Sequence, residues 1–468
     1  MFITTLIILF VIGYLAIALE HPIKIDKTAS ALLLGMLMWV VYALGAEELV
    51  PLFNADAFHH FVESHGLTGN DLATQAIKYI TEVEIIESVG EITQTLLFLI
   101  GAMTIVELID VHNGFRVITD NITSRDKKKL LWIISITTFF LSAVLDNLTT
   151  TIVMVMLLRK LIRDQQDRWL YAGMIVIAAN TGGAWSPIGD ITTIMLWVKG
   201  NVTALALIEK VLLPSAVAMV VPALIISRQL SGDLGEMPEP PVESTISEQF
   251  SFRDQLIIFI LGIVGLIFVP IFKSITHLPP FVGMLLVLGI LWVFIECFYN
   301  ARIRVMDRAK MHRIPRVISR IDMPSILFFL GILMAVDVLE ATGILSALST
   351  WLDDSVHNIY IINVLLGLMS SIVDNVPLVA ASIGMYPIEP AGTIGYAGNF
   401  VVDGAFWEFL SYCAGVGGSV LIIGSAAGVI AMGLEKINFG WYLKKITWPA
   451  LLGYLCGGGI YMLESLLW

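Results

Sequence analysis

The chain has 468 residues, of which 57% are hydrophobic and only 14% are charged, and its mean hydropathy is +0.85. Soluble domains carry about 25% charged residues, so this composition excludes an ordinary soluble domain and predicts an all-α polytopic membrane protein surrounded by lipid. The formal net charge of −12 is spread over loops of both signs, and the basic clusters lie between apolar segments. We therefore expect no nucleic-acid partner.

The first part of the chain predicts membrane spans at residues 2–19, 29–44 and 95–111, because a helix needs about 20 apolar residues to cross a bilayer. No Lys or Arg precedes the first apolar run, which favours a retained helix, with the N-terminus outside, over a cleaved signal peptide. Residues 46–93 are polar and mostly acidic. They predict an external segment with one or two surface helices.

Residues 130–158 form an apolar run with basic loops at both ends, 112–129 and 159–170. Cytoplasmic loops carry an excess of Lys and Arg, so both ends of this run are expected in the cytoplasm. One straight helix cannot begin and end on the same side, and the pattern therefore predicts a re-entrant helical hairpin with Asp146 and Asn147 at its tip. A carboxylate at that depth costs at least about 2.5–3.5 kcal/mol, which points to a functional site.

The next apolar segment, residues 171–198, is interrupted by the helix breakers Gly182, Gly183 and Pro187. We predict a discontinuous helix whose break lies at the depth of the hairpin tip. Asp190 follows the break and is suited to cap the second half-helix. The polar side chains of this segment that are candidates for a site are Asn180, Asp190, Thr192 and Thr193.

After a Pro-rich linker at residues 229–255 the pattern starts again, which divides the chain into a first repeat, 1–228, and a second repeat, 256–468. The second repeat contains the most basic loop of the chain, 299–322, which is expected in the cytoplasm. The repeat also predicts a second hairpin and a second broken helix, at residues 359–386 and 406–432.

The two repeats share short motifs in the same order. The Asp-Asn pair of the first hairpin recurs in the second hairpin, at Asp374 and Asn375. The Gly-Gly pair of the first broken helix recurs in the second, at Gly417 and Gly418. The loop charges nevertheless place the ends of the first hairpin inside and those of the second outside. Two homologous halves of opposite orientation are typical of secondary transporters, so we predict a transporter, not an enzyme or an ion channel.

Oxygen-bearing side chains at the hairpin tips and helix breaks make up the predicted cation and proton site. Asp and Asn also cap helices, and small serines are common packing residues in membrane helices, so these plainer roles stay open. The candidates are Asp146, Asn147, Thr150, Asn180, Asp190, Thr192, Thr193, Ser370, Ser371, Asp374, Asn375, Ser419 and Ser425. Two acids on the helices before the hairpins, Glu107 and Asp337, are candidates for a proton relay.

A carboxylate can hold either a cation or a proton, and burial disfavours its charged form. Na⁺ and H⁺ then compete for the same oxygen, while amide and hydroxyl oxygens complete the cation shell. We expect this site closer to Asp146 than to Asp374, because the first half carries the richer set of oxygens. The predicted Na⁺ ligands are Asp146, Asn147, Asn180 and Asp190.

Three motifs, at residues 142–151, 178–193 and 370–377, carry a resemblance that extends over essentially the whole chain. They resemble NhaD-type sodium/proton antiporters of the ion transporter superfamily, whose wider fold includes divalent-anion/sodium symporters and arsenite/citrate carriers. The resemblance implies export of Na⁺ or Li⁺ in exchange for H⁺ without a cofactor, by a homodimer in the bacterial inner (plasma) membrane. The symporter relatives carry a Ser-Asn-Thr motif at each hairpin tip. Asp146 and Asp374 stand in place of its Ser, which favours proton coupling.

A sodium-coupled symporter of di- or tricarboxylates on the same fold is the alternative. The hairpin tips and the breaks contain no Lys or Arg, which disfavours an anionic substrate. Helix N-termini can also bind anions, however, so this absence does not decide between the two transport reactions.

Overall fold

A computed structural model describes residues 1–18, 20–112, 114–115, 117, 122, 124–234, 252–302, 317, 321–372 and 374–467. In these parts of the chain the regular structure is helical, apart from two isolated β-bridges. The predicted linker 229–255 and the predicted cytoplasmic loop 299–322 lie largely outside the described residues, and the predicted loop 112–129 lies partly outside them.

The first half of the chain forms helices α1 to α12. They are α1 (Phe2–Ala18), α2 (Glu20–Ile23), α3 (Lys27–Leu44), α4 (Ala46–Phe53), α5 (Ala55–Ser64), α6 (Leu72–Tyr79), α7 (Ile85–Val111), α8 (Lys127–Leu145), α9 (Asn147–Leu161), α10 (Gln165–Gly183), α11 (Ile191–Lys199) and α12 (Ala204–Gln229). A π-helical turn, Ile80–Glu84, joins α6 to α7.

The second half forms helices α13 to α22. They are α13 (Phe252–Thr276), α14 (Pro280–Arg302), α15 (Met323–Ala341), α16 (Ile344–Ser355), α17 (Ile359–Ser370), α18 (Asn375–Met385), α19 (Ala405–Gly417), α20 (Ala426–Glu435), α21 (Phe439–Lys445) and α22 (Thr447–Glu464). A short 3₁₀ helix, Tyr396–Phe400, precedes α19.

Seven helices in the described part of the chain are long and apolar enough to cross a membrane, or eight if α21 and α22, which meet at 51°, count as one span. The chain is therefore a multi-pass, all-α membrane protein, as its composition predicts. The helices that flank Asp374, α17 and α18, are apolar but shorter than a full span. Such lengths suit half-membrane arms.

The acidic stretch at residues 46–93 contains more helix than the one or two surface helices predicted, because α4, α5 and α6 lie within it and α7 begins inside it. Leu72–Val111 is helical throughout and includes an 18-residue window with a mean hydropathy of 1.9. The acids Glu84, Glu87 and Glu91 are spaced by three and four residues and therefore share one face of the helix. The helix that contains the third predicted span therefore begins before residue 95, and the point at which it enters the membrane stays a prediction.

The helices form two compact units. The first unit comprises Met1–Leu97, Asp322–Asn358 and Val376–Ile388. Within it α3 packs on α1 and on α15. A Cβ atom added to Gly35 of α3 would collide with the backbone oxygen of Gly331 in α15. Small residues at a crossing let membrane helices approach closely, and the same contact is stabilised by the Trp39 indole, which donates to the Met334 carbonyl at 3.0 Å.

The second unit contains the first predicted hairpin and both predicted broken helices. It comprises Phe98–Ile321, Ile359–Asn375 and Glu389–Trp468. Helices α8 and α9 pack against each other and on α10, while α9 and α10 also pack on α20. Helix α17 packs on α19, and α12 packs on α22. This arrangement brings the ends of α8, α10 and α20 together around residue 146.

One packing contact occurs twice in the second unit. A Cβ atom on Gly182 of α10 would collide with the backbone of Phe139 in α8, and one on Gly417 of α19 would collide with the backbone of Gly367 in α17. Gly182 and Gly417 each begin the Gly-Gly pair of their broken helix, and Phe139 and Gly367 stand equally far before the Asp-Asn pair of their hairpin. The same contact therefore occurs at matching positions of the sequence, once within the first predicted repeat and once within the second. The relative orientation of the two halves stays a prediction.

Candidate cation-binding site

The tip of the first predicted hairpin is the single residue Asp146, which separates α8 from α9. Its backbone has φ 75° and ψ 159°, a region that is essentially restricted to glycine and costs another residue about 1–3 kcal/mol. Its carboxylate caps α9: Thr149 N donates to Oδ1 at 2.7 Å, and the Thr149 hydroxyl donates to Oδ2 at 3.1 Å. The tip thus retains an acid where glycine would fit the backbone better, and uses its side chain to begin the next helix.

Asn147 begins α9 and joins the hairpin tip to both sides of the first helix break. Its side-chain Nδ2 donates to Asp190 Oδ2 at 2.6 Å and to Asn180 Oδ1 at 3.1 Å. Asn180 lies in the last turn of α10, before the break, and Asp190 is the N-cap of α11, after the break. All three residues are less than 5% exposed, so an acid and two amides meet in the protein interior.

Asp190 is the centre of this cluster. Its Oδ1 accepts from the Thr192 backbone N–H and hydroxyl, both at 2.9 Å, while Thr193 completes a capping box at the start of α11. Asn375 Nδ2 donates to the same oxygen at 3.5 Å. No Lys or Arg of the described chain forms an ion pair with this carboxylate, which is 1% exposed. Neutral donors alone therefore stabilise its charge.

The second half of the sequence contributes two groups to the cluster. Asn375, the first residue of α18, reaches Asp190 from the second predicted hairpin tip. Ser425 is the N-cap of α20, and its Oγ accepts from Asn180 Nδ2 at 2.9 Å. Asn147 and Asn375 occupy matching positions of the two Asp-Asn pairs. The two oxygens of one carboxylate thus receive one amide from each predicted hairpin.

Two further acids act electrostatically on the cluster. Asp190 lies within range of the charge of Asp374, and Asp146 lies within range of the charge of Asp190. Like charges repel one another, and the repulsion is stronger in a medium of low dielectric constant. A site with three such acids is suited to take up protons or cations, and it disfavours an anion.

Several predicted site residues point elsewhere. The hydroxyls of three serines donate to backbone carbonyls: Ser370 to Ala414 at 2.9 Å, Ser371 to Leu368 at 2.6 Å and Ser419 to Val416 at 2.5 Å. Thr150 is buried, and its hydroxyl has no hydrogen-bond partner among the described residues. Glu107 and Asp337 are both half-buried. They belong to different units.

Two serines that link α8 to the broken helix were not among the site residues predicted from the sequence. Ser142 Oγ donates to the Ala179 carbonyl at 2.6 Å, and Ser186 Oγ donates to the Ala143 carbonyl at 2.5 Å. Both bonds tie α8 to the broken helix beside the cluster. The repeat offers a signal for the first, because Ser142 and Ser370 stand equally far before their Asp-Asn pairs, and Ser370 makes the equivalent bond in the second half.

The chain is similar to known membrane transporters. The family model described as citrate transporter matches residues 7–401. Sodium/proton antiporter 2 of Arabidopsis thaliana is 41% identical over 97% of this chain and 98% of its own length. The Na⁺/H⁺ antiporter NhaD of Vibrio cholerae is 29% identical over 98% of this chain and 91% of its own. The chain belongs to the NhaD-type antiporters of the citrate transporter family.

A third relative, sodium/proton antiporter 1 of Arabidopsis thaliana, is 41% identical over 97% of this chain and 71% of its own length. All of these relatives bear the names of transporters and none the name of an enzyme. In this NhaD-type chain, carboxylate and amide oxygens lie close together in the buried acid–amide cluster, inside an apolar fold.

Proposed function

We propose that the chain exchanges Na⁺ or Li⁺ for H⁺ across a membrane, and that both ions compete for the carboxylate of Asp190. The observation that carries the proposal is a carboxylate 1% exposed, with amide and hydroxyl donors but no Lys or Arg among its described partners. A charge without a fixed counter-ion at this depth is costly. The site is therefore stabilised whenever a cation or a proton neutralises it.

The amide of Asn147 indicates where the cation binds. Its Nδ2 lies 2.6 Å from Asp190 Oδ2 and 3.1 Å from Asn180 Oδ1, so two oxygens converge on a position that carries partial positive charge. Rotation of this side chain would withdraw the N–H groups and turn the amide oxygen toward the same point. Na⁺ would then bind Asp190, Asn180 and Asn147 through oxygen, with Ser425 next to Asn180.

Protons enter the same cycle at the carboxylates. A proton on Asp190 or Asp146 removes the charge that attracts Na⁺, and Na⁺ on the cluster disfavours protonation of the same oxygens. The coupled acids titrate as a set, so we assign the exchange to the group of Asp146, Asp190 and Asp374. Glu107 and Asp337 are proposed as relays toward the two membrane surfaces.

The two halves are proposed to be an inverted repeat whose hairpins enter from opposite sides, since the basic loops 112–129, 159–170 and 299–322 favour one face of the membrane. We further propose a homodimer in the bacterial inner (plasma) membrane with its N-terminus outside. The matched packing of Gly182 and Gly417 supports the repeat.

The second candidate is Na⁺-coupled uptake of a di- or tricarboxylate, which the family description as citrate transporter favours. The charge of the cluster argues against it. Asp190 is buried, Asp374 and Asp146 add charge of the same sign, and among the described residues no Lys or Arg forms an ion pair with Asp190. A polyanion at this point would meet like charges in a medium of low dielectric constant.

The two functions are distinguished in everted vesicles that contain the full-length protein. Exchange predicts that added Na⁺ dissipates an imposed pH gradient, read as dequenching of a pH-sensitive dye, and that labelled citrate does not accumulate. Na⁺-driven accumulation of citrate or succinate with no Na⁺-dependent change in the dye signal would overturn the proposal. Vesicles without the protein give the background leak.

A further inference from the structure

A basic pocket lies at the ends of the site helices that are remote from the cluster. It is formed where α9 ends, α10 begins and α20 ends, and its volume is about 360 Å³. The residues that line it are Arg159, Gln165, Arg168, Leu434, Glu435 and Lys436. Three of these side chains are cationic and one is anionic.

The acid of the pocket is already neutralised. Glu435 Oε1 accepts from Arg159 Nε at 2.7 Å, Oε2 accepts from Arg168 Nε at 2.8 Å, and the side chain is only 1% exposed. Arg159 also donates to the Leu434 carbonyl. The carboxylate is thus enclosed by its partners, and the pocket retains two positive charges in excess.

The side chains that line the pocket retain donors that bond to no described residue. Lys436, an exposed residue with φ 53°, forms no ion pair with any described residue. Arg159 bonds to the described chain through Nε and Nη2 and leaves its Nη1 available, while Arg168 bonds through Nε and Nη1 and leaves its Nη2 available. Guanidinium forks and an ammonium directed at one cavity are the groups that bind phosphate oxygens.

The surroundings of this pocket are typical of a membrane surface. Trp169 Nε1 donates to the Glu435 carbonyl at 2.9 Å. The Trp169 ring packs edge-on against the Trp441 ring, with 5.3 Å between the ring centroids. Helix α21 contains Trp441. Its side chains Phe439 and Leu443 are 41% and 42% exposed, and its last turn carries two lysines. Tryptophans and amphipathic helices of this kind are typical of the boundary between hydrocarbon and headgroups.

We propose that this pocket binds a phosphate group at the membrane surface, with an anionic phospholipid headgroup as the membrane source and inorganic phosphate as the soluble source. The proposal does not depend on which ions the cluster exchanges. Its ligand would join the ends of α9, α10 and α20, the same helices whose other ends carry Asn147, Asn180 and Ser425.

The test compares two single-charge variants of the purified full-length protein by native mass spectrometry after incubation with phosphatidylglycerol or phosphatidylcholine. Lys436→Asn removes a pocket charge, and Asn tolerates the left-handed backbone there. Lys444→Gln removes an exposed charge of α21 that does not line the pocket. A basic residue near the surface contributes about 1 kcal/mol, so Lys436→Asn is expected to weaken phosphatidylglycerol retention about five-fold, and Lys444→Gln to leave it unchanged.

If inorganic phosphate also gives no adducts, equal retention by both variants, or equal binding of phosphatidylglycerol and phosphatidylcholine, would overturn the proposal. Competition with inorganic phosphate identifies the source. Phosphatidylglycerol retained against millimolar phosphate assigns the site to lipid, whereas phosphate adducts without lipid retention assign it to the soluble anion. An unchanged thermal unfolding midpoint in both variants shows that the fold is intact.

Discussion

Asp190→Asn is the substitution that separates the charge of the cluster from its shape. The new amide can keep its oxygen toward the Thr192 donors, which lie at 2.9 Å. Its NH₂ group would then face Asn147 Nδ2, a donor at 2.6 Å from the present Oδ2, unless the Asn147 amide turns over. That turn restores the pairing with residue 190 but takes the Asn147 Nδ2 donor away from Asn180 Oδ1, so we expect stability to fall by about the 1–3 kcal/mol of one buried group left without its hydrogen bond.

Cation binding should suffer far more than stability. A unit charge at about 4 Å contributes roughly 4 kcal/mol at an effective dielectric constant near 20. At about 1.4 kcal/mol for each factor of ten, Na⁺ affinity should fall nearly a thousand-fold. The assay is Na⁺-dependent dequenching in everted vesicles over a wide range of Na⁺ concentrations, with Thr192→Ser, which retains the hydroxyl and the backbone donor, as the control. A half-saturating Na⁺ concentration in Asp190→Asn equal to that of the wild type would refute the reasoning.

Three other substitutions test parts of the account. Asp146→Gly should leave the thermal midpoint nearly unchanged, because relief of about 1–3 kcal/mol of backbone strain offsets a lost cap of about 0.5–2 kcal/mol, yet exchange should be lost. Retained exchange would reduce Asp146 to a helix cap. Gly182→Ala should destabilise the protein by about 1–3 kcal/mol, because its Cβ meets backbone. Gly433→Ala, where no atom lies within 4 Å, is the matched control for thermal unfolding. Glu435→Gln should lower stability, because breaking a fully buried ion pair costs about 3–5 kcal/mol. Both arginine partners are partly exposed and screened by solvent, so we expect a loss below that range. An unchanged thermal midpoint would show that this carboxylate does not hold the helix ends together.

Much of the candidate site was predictable because polar residues are costly, and therefore rare, in membrane-spanning segments, so they stand out in the sequence. Backbone cannot be left unpaired at membrane depth, so Gly182, Gly183 and Pro187 had to mark a break, and Asp190 after them had to be a cap or a ligand. In the structure Asp190 is a cap that accepts from Thr192, and it also accepts from the Asn147 amide; its role as a cation ligand stays a prediction. Composition likewise sufficed for the all-α membrane class.

The pairing of side chains was not predictable. Asn375 approaches Asp190 across 185 residues of sequence, and that contact depends on how α17 and α18 pack, which no local pattern encodes. The sequence offers Ser371 and Ser419 as site residues, with packing as the plainer role, and in the structure each donates to a carbonyl three residues earlier in its own segment. Serines in membrane helices can always make such local bonds, so their position near a break does not identify them as ligands.

The central claim is that Na⁺ and H⁺ compete for the carboxylates around Asp190. The most direct measurement is proton release when Na⁺ is added to purified, full-length protein in weakly buffered detergent solution, with choline as the control cation. The account predicts that saturating Na⁺ releases protons from the wild type at a pH where the cluster is partly protonated, and that Asp190→Asn releases fewer. Saturable Na⁺ binding with no proton release at any pH would contradict it.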